Sequence, residues 1–208
     1  MIYISIDLET SGLDPENCQI LEFGAIVEDT NKKLPFDELP KFKRLIFNEE
    51  IKGSPFAINM NSRIISVFAD YQSLHEKFIN GKVTEEGIMN FISENSITTI
   101  DKLASSFYNF LINNGFEDKK GSQIKINVAG KNFGMFDYKF LKLVPELEKL
   151  IKFNSRVLDP AILFVDWNND KQLPSLNECK ERNSIQGEVT HDAIEDAWDV
   201  IQVLRKSY

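Results

Sequence analysis

Cysteine is scarce in this 208-residue chain, with only Cys18 and Cys179. A disulfide scaffold needs more cysteines in a shorter chain, so both read as reduced thiols of a cytoplasmic protein. Histidine is equally scarce, limited to His75 and His191, and no Cys/His spacing fits a zinc site. No apolar run approaches the ~20 residues a membrane-spanning helix requires. The opening Met1-Ile2-Tyr3-Ile4-Ser5-Ile6-Asp7 has no basic stretch and no small-residue cleavage site, so it reads as a first strand and not a signal peptide. Positive charge is short as well. The formal net charge of −8 argues against a protein that coats nucleic acid through a broad basic surface. It leaves room for an enzyme that grips only a strand end, because clustered carboxylates attract Mg²⁺ or Mn²⁺, which then face a phosphate.

What is present describes one α/β domain. Hydrophobic residues make up 42% and charged residues 27%, the balance of an ordinary soluble globule with a buried core. Ile2–Ile6 alternates and runs into Asp7-Leu8-Glu9-Thr10 and the turn formers Ser11-Gly12-Leu13-Asp14-Pro15. Ile20–Glu28 and Phe42–Phe47 read as the next strands of an antiparallel meander, with a loop over Asp29–Pro40. Ser54-Pro55 opens a helix through Phe68, and Thr84-Glu85-Glu86-Gly87 opens another. Ile100, Leu103, Ala104, Phe107, Phe110 and Leu111 recur at helical spacing between Thr99 and Asn113. Then come a strand Ile124–Ala129, a helix Phe133–Leu143, a short strand at Val157–Pro160 leading into a helix, a short helix Ser175–Arg182 and a final helix Ala193–Arg205. Without repeats or linkers, residues 1–208 form a single domain with a mixed sheet.

Four acids and one histidine sit where strands end or helices begin. Asp7 and Glu9 are two apart, hence on one face of a strand. Two such carboxylates repel each other, and a divalent cation between them removes the penalty. Taken alone, the pair also describes two exposed acids at a strand edge. Asp137 follows the strand ending at Ala129; it can point into a cleft beside the first strand while Phe136 packs inward, or be a plain first-turn acid that suits the helix dipole. His191 and Asp196 would point about 140° apart in a regular helix, since five residues turn through roughly 500°. They converge if His191 lies outside the helix. Asp192 with Glu195 three later resembles a capping box that places it there, on a segment reached through Gly187, with Asp196 in the first turn. The alternative is a surface-loop histidine. Together, Asp7, Glu9, Asp137 and Asp196 supply oxygen ligands for two hard cations ~3.5–4 Å apart. An imidazole with an ordinary pKa of ~6.5 suits deprotonation of water at neutral pH.

These residues resemble the DEDD-type 3′→5′ exonucleases, in the subclass with histidine (DEDDh). The first motif is Asp7-Leu8-Glu9-Thr10-Ser11-Gly12-Leu13. The second is Ala129-Gly130-Lys131-Asn132-Phe133-Gly134-Met135-Phe136-Asp137, and the third His191-Asp192-Ala193-Ile194-Glu195-Asp196-Ala197. Four residues between His191 and Asp196 separate this subclass from its tyrosine relative. The resemblance implies an RNase H-like fold, a central mixed five-stranded sheet flanked by helices. It implies two divalent cations, Mg²⁺ or Mn²⁺: Asp7, Glu9 and Asp196 hold the catalytic one, and Asp7 reaches the second with Asp137 nearby. His191 is the implied general base. Thr10, Gly12, Leu13, Asn132 and Phe136 are implied at the substrate, Thr10 through its backbone and Leu13 and Phe136 as wedges against terminal bases. The implied partners are nucleic-acid 3′ ends, DNA or RNA, single-stranded or short, and no membrane.

One departure is the stretch 35–98, longer than a minimal exonuclease core and helical over about 50–98. Within it, Phe56-Ala57-Ile58-Asn59-Met60-Asn61 resembles the helix that approaches the terminal base in relatives. Met60 and Asn61 either line the substrate pocket or are a core methionine and an exposed asparagine. Two other functions fit parts of the pattern. A non-catalytic nucleic-acid-binding module on the same fold would have no reason to tolerate this charge cluster. A phosphatase with an aspartyl nucleophile also starts acid-x-acid-Thr, but wants a second aspartate where Glu9 stands.

Overall fold

The structure, a computed structural model, describes residues 1–117, 123–187 and 190–208. Strands β1 (Ile2–Thr10), β2 (Ile20–Asp29) and β3 (Lys41–Ile46) form the expected antiparallel meander. Helices α1 (Pro55–Met60), α2 (Ser62–Ile79) and α3 (Glu85–Glu94) follow. A two-residue strand β4 (Ile97–Thr98) then pairs parallel with β3. After α4 (Ile100–Asn113) come β5 (Ile124–Ile126) and β6 (Val128–Ala129), and β6 pairs parallel with β1. The sheet order β4-β3-β2-β1-β6 is mixed and five-stranded, as the resemblance implies. The remaining elements are α5 (Asp137–Leu141), α6 (Leu147–Leu150), β7 (Ile151–Phe153), α7 (Leu176–Arg182) and α8 (Ala193–Leu204).

Period-2 alternation gives the sheet two buried faces. Ile4, Ile6 and Leu8 of β1 join Phe23, Ala25 and Val27 of β2 under Leu103, Phe107 and Leu111 of α4. The other face carries Tyr3 and Ile26, covered by Ala197, Val200, Ile201 and Leu204 of α8. Each large aliphatic side chain buried this way contributes about 1.5–3 kcal/mol. Because both faces are covered, the odd-numbered acids of β1 are forced under α8. Helices α2 and α3 pack over the far end of the sheet through Ile64, Phe68, Phe91 and Ile92.

Several boundaries differ from expectation. The helix begun at Pro55 stops at Met60, and a second helix runs to Ile79, well past Phe68. Ile124–Ala129 is not one strand. It divides at Asn127, with β5 pairing β7 in a separate two-stranded sheet and β6 joining the main one. The Asn127 side chain makes the junction, bonding Ile2 O and accepting from Asn154 Nδ2. The helix expected over Phe133–Leu143 is regular only over Asp137–Leu141, because Asn132 adopts a left-handed backbone (φ 58°) and 131–136 form turns. Leu158 makes only an isolated bridge to Ala129, and Pro160–Leu163 is a 3-10 turn. No described helix is long and apolar enough to cross a membrane.

Candidate active site

The site forms where β1 ends beneath the start of α8. Gly24 on β2 permits that approach: a Cβ there would lie 2.4 Å from the Ala193 carbonyl carbon. The bare backbone lets the first turn of α8 rest directly on the sheet, which brings Asp196 over Asp7 and Glu9.

His191 lies outside the helix, as the cap predicts. Asp192 is the N-cap, its Oδ1 accepting from the backbone N–H of Ile194 (3.1 Å) and Glu195 (3.5 Å). The reciprocal Glu195 bond of a full capping box is not among the described contacts. His191 adopts φ 55°, a left-handed conformation uncommon for a side chain with Cβ. The preceding Thr190 N–H donates to Asp196 Oδ1 at 3.3 Å. The chain thus folds back, and ligand atoms of Glu9, His191 and Asp196 all lie within 4.8 Å of one another. That triplet is compact enough to share one cation.

Asp7 and Asp137 form a deeper pair. Asp137 is buried, and its Oδ1 accepts from the Leu8 N–H at 3.1 Å. It sits behind β1 and does not line the cleft. The Asp7 carboxyl is recessed at the cleft floor, still partly open to solvent. Burial, then Asp137, Asp196 and Glu9, raise the Asp7 carboxyl well above its ordinary range. Asp137 is also raised, by burial, against the opposing backbone hydrogen bonds. Glu9 is pushed up to about 8 by burial, then by Asp196 and Glu22. Asp196 is pushed up to about 7, chiefly by burial. Among the described residues, no lysine or arginine nitrogen lies within 4.0 Å of any of the four carboxylates. The Glu9 and Asp196 carboxylates beside the His191 imidazole, with Asp7 at the cleft floor and no direct ion pair to any of them, fit a hard divalent cation such as Mg²⁺ or Mn²⁺.

A second charged group borders this one. Glu22, opposite Glu9 across β1 and β2, is fully buried. Lys43 Nζ lies 2.8 Å from its Oε1, and Arg63 Nη2 donates to its Oε2 at 2.8 Å. Both cations also reach Asp192 Oδ2, at 2.5 and 3.2 Å. Burial pushes Asp192 up, but the Lys43 ammonium and Arg63 outweigh it and hold the carboxyl below its usual range. The cap that positions His191 is therefore anchored to β2, β3 and α2.

The cleft encloses about 380 Å³ and its rim is apolar. Thr10, Gly12, Leu13, Met60, Asn61 and Phe136 line it together with Asp7, Glu9, His191 and Asp196. Leu13 is 85% exposed and stands free at the edge. Phe133 is the aromatic that packs inward; Phe136 is only half-buried, against Phe140, and keeps a place in the cleft wall. Asn132 does not line the cavity. It is exposed, with its N–H bonded to Asp159 Oδ2 at 2.9 Å. Met60 and Asn61 invert the bland reading, since the methionine is partly exposed and the asparagine buried. Asn61 Nδ2 donates to Ala57 O and Thr10 O, leaving Oδ1 buried without a partner. Phe56, 74% exposed, lines the cleft and was not foreseen. Its signal was legible: it lies four residues before Met60, on the same helical stripe.

No family model matches the sequence, and no curated protein does. Solved structures do match in fold. The nuclease domain of 3′hExo, described as a DEDDh family member bound to rAMP, aligns with TM-score 0.60 at 15% identity over 99% of this chain and 90% of that one. Cell-death related nuclease 4 (CRN-4) aligns at 0.55 and 15%, over 99% of this chain and 62% of that one. E. coli Exonuclease I, in complex with a dT13 oligonucleotide, aligns at 0.53 and 16%, over 99% and 40%. The chain thus shares the fold of these nucleases. The chain spans most of the 3′hExo nuclease domain but under two thirds of the other two proteins.

Proposed function

We propose that this protein is a divalent-cation-dependent 3′→5′ exonuclease that releases nucleoside 5′-monophosphates from nucleic-acid 3′ ends. One observation carries the reading: ligand atoms of Glu9, His191 and Asp196 lie within 4.8 Å of one another in an apolar-rimmed cleft, with Asp7 at its floor and Asp137 buried behind it, and none of these carboxylates is ion-paired to a described lysine or arginine. A buried carboxylate group without counter-charge is costly unless something cationic completes it. Asp7, Glu9 and Asp196 would hold one Mg²⁺ or Mn²⁺, and Asp7 would reach a second, with Asp137 behind it acting directly or through water. Bound there, the cations supply charge stabilisation at the phosphate and ease ionisation of water at neutral pH.

The chain's own groups do the rest. His191, held outside the helix by the Asp192 cap, accepts the proton of the attacking water. Phe136, Phe56, Met60 and Leu13 offer apolar surface to the terminal bases, while Thr10 and Gly12 let backbone approach the last nucleotide. Asn61 Oδ1 is an acceptor available to a sugar hydroxyl or a base N–H. Few basic groups border the cleft, so contact is confined to a few terminal nucleotides, which favours single-stranded or short ends. A cleft of this size suits a nucleotide, since ligand sites span about 300–1,000 Å³.

The test is a degradation assay with matched single-stranded DNA, duplex DNA, RNA and dinucleotides, with Mg²⁺, Mn²⁺ or chelator. The reading expects stepwise release of 5′-monophosphates from the 3′ end, abolished by chelator. Cleavage unaffected by chelator, a phospho-enzyme, or no cleavage of any substrate contradicts it.

A further inference from the structure

A second cavity, about 580 Å³ and thus larger than the cleft, opens between the end of β3, the second half of α2 and the start of α4. The enlarged helical segment supplies one wall. The rings of Phe47 and Tyr71 meet nearly at right angles, 77° with centroids 4.8 Å apart, and so form a corner. Tyr71 is fixed by stacking on Phe91, with centroids 6.4 Å apart at 16°. His75 adds a third ring, 6.1 Å from Tyr71 and tilted by 42°. Gln72, Thr99 and the exposed Glu49 and Glu76 complete the lining, and no lysine or arginine belongs to it.

Charge decides what such a corner accepts. Elsewhere Glu22, Glu28, Asp170 and Asp192 each meet a lysine or arginine. Among the described residues, Glu49 and Glu76 make no ion pair within 4.0 Å. Two unpaired carboxylates repel phosphate, so this is no extension of a nucleic-acid track. They attract cations, and the ring faces beside them attract the same charge through their quadrupoles. A bare inorganic cation would leave most of the volume unfilled. A long side chain with its flanking backbone would fill it, its apolar stem against Phe47 and Tyr71 and its charge between the carboxylates.

We propose that this cavity receives an arginine or lysine side chain from a basic segment of a partner protein. The proposal is independent of the catalytic reading, because none of these residues lines the cleft.

The test uses the full chain labelled with ¹⁵N and titrated with acetyl-Gly-Arg-Gly-amide, with the citrulline peptide as a neutral isostere and oligo-dT as a polyanion. Saturable shifts centred on 47–49, 71–76 and 99 are expected for the arginine peptide. Citrulline, or the E49Q/E76Q variant, should weaken binding by about tenfold, as loss of a cation–π contact or of two exposed ion pairs implies. Tyr71→Leu, which keeps apolar bulk, should weaken it too. Cleavage activity of E49Q/E76Q should match the parent. No saturation by ~10 mM, a range where binding is worth only a few kcal/mol, would overturn the proposal. So would equal binding of citrulline, shifts confined to Asp7, Glu9 and Asp196, or oligo-dT binding at 47–49 and 71–76.

Discussion

Buried acids occur in two arrangements here, and the contrast separates support from chemistry. Glu22 and Glu28 are both fully buried on β2, on the face toward α8. Each meets a cation: Lys43 and Arg63 at Glu22, and a two-pronged Arg205 at Glu28, with contacts of 2.9 and 2.6 Å. On the same face of the neighbouring strand, Asp7 and Glu9 stand beside Asp137 and Asp196 with no direct ion pair; Asn61 and the more distant Arg63 only partly offset the crowding at Glu9. Arginine or lysine could have satisfied those acids as well. Their absence leaves repulsion that a divalent cation would relieve, so on the proposed reading the unpaired group is the site and the paired ones are scaffold.

Removing one member of each arrangement should have opposite effects. Asp7→Asn should cut the cleavage rate by about 10²–10³-fold or more, the size of losing a key electrostatic contact. In chelator at pH 8 it should nonetheless raise Tm, because one repelling charge is gone. Retained activity in Asp7→Asn breaks the account. His191→Ala should slow cleavage by about 10²–10⁴-fold near pH 7, the range of a general-base contribution; single-turnover rates that match the parent would remove His191 from the role. Arg205→Met strands Glu28 and should cost about 3–5 kcal/mol of stability, read as a fall in denaturation midpoint. A loss below ~1 kcal/mol, the level of an exposed pair, would show that the pair is not scaffold.

The smallest expected effect is on pH dependence. Glu9 and Asp196 are raised to about 8 and about 7 when folded, against ordinary values near 4 in an unfolded chain. The folded state therefore binds protons more tightly. That stability is fully present below about pH 4 and is lost as pH rises through 7–8. In chelator, Tm should fall by several degrees from pH 5 to 8, since ~1 kcal/mol moves it by ~2–4 °C at this length. Mg²⁺ or Mn²⁺ should flatten the slope. A chelator profile that rises over this range contradicts the raised pKa values.

Local signals made much of this legible. The i, i+2 acids of β1, the cap at Asp192 and the period of α4 each depend on neighbouring residues, and each appears as read. What escaped depended on distant partners. Nothing near Asn127 says that two sheets divide its strand. Nothing in Phe133–Leu143 says that Asn132 turns left-handed, its N–H bonded to Asp159. The depth of Asp137 follows from Leu8, 129 residues away. Lys43 and Arg63 carry no motif, and only the fold brings them to Glu22 and Asp192.

The most direct test of the unpaired-acid claim is calorimetric titration of Mn²⁺ and Mg²⁺ into the metal-free protein at pH 6.5 in buffers of different ionisation enthalpy. The account predicts saturable binding with release of protons from the raised carboxyls, and strongly weakened binding in Asp7→Asn. Binding without proton release, or equal affinity in parent and Asp7→Asn, would contradict it.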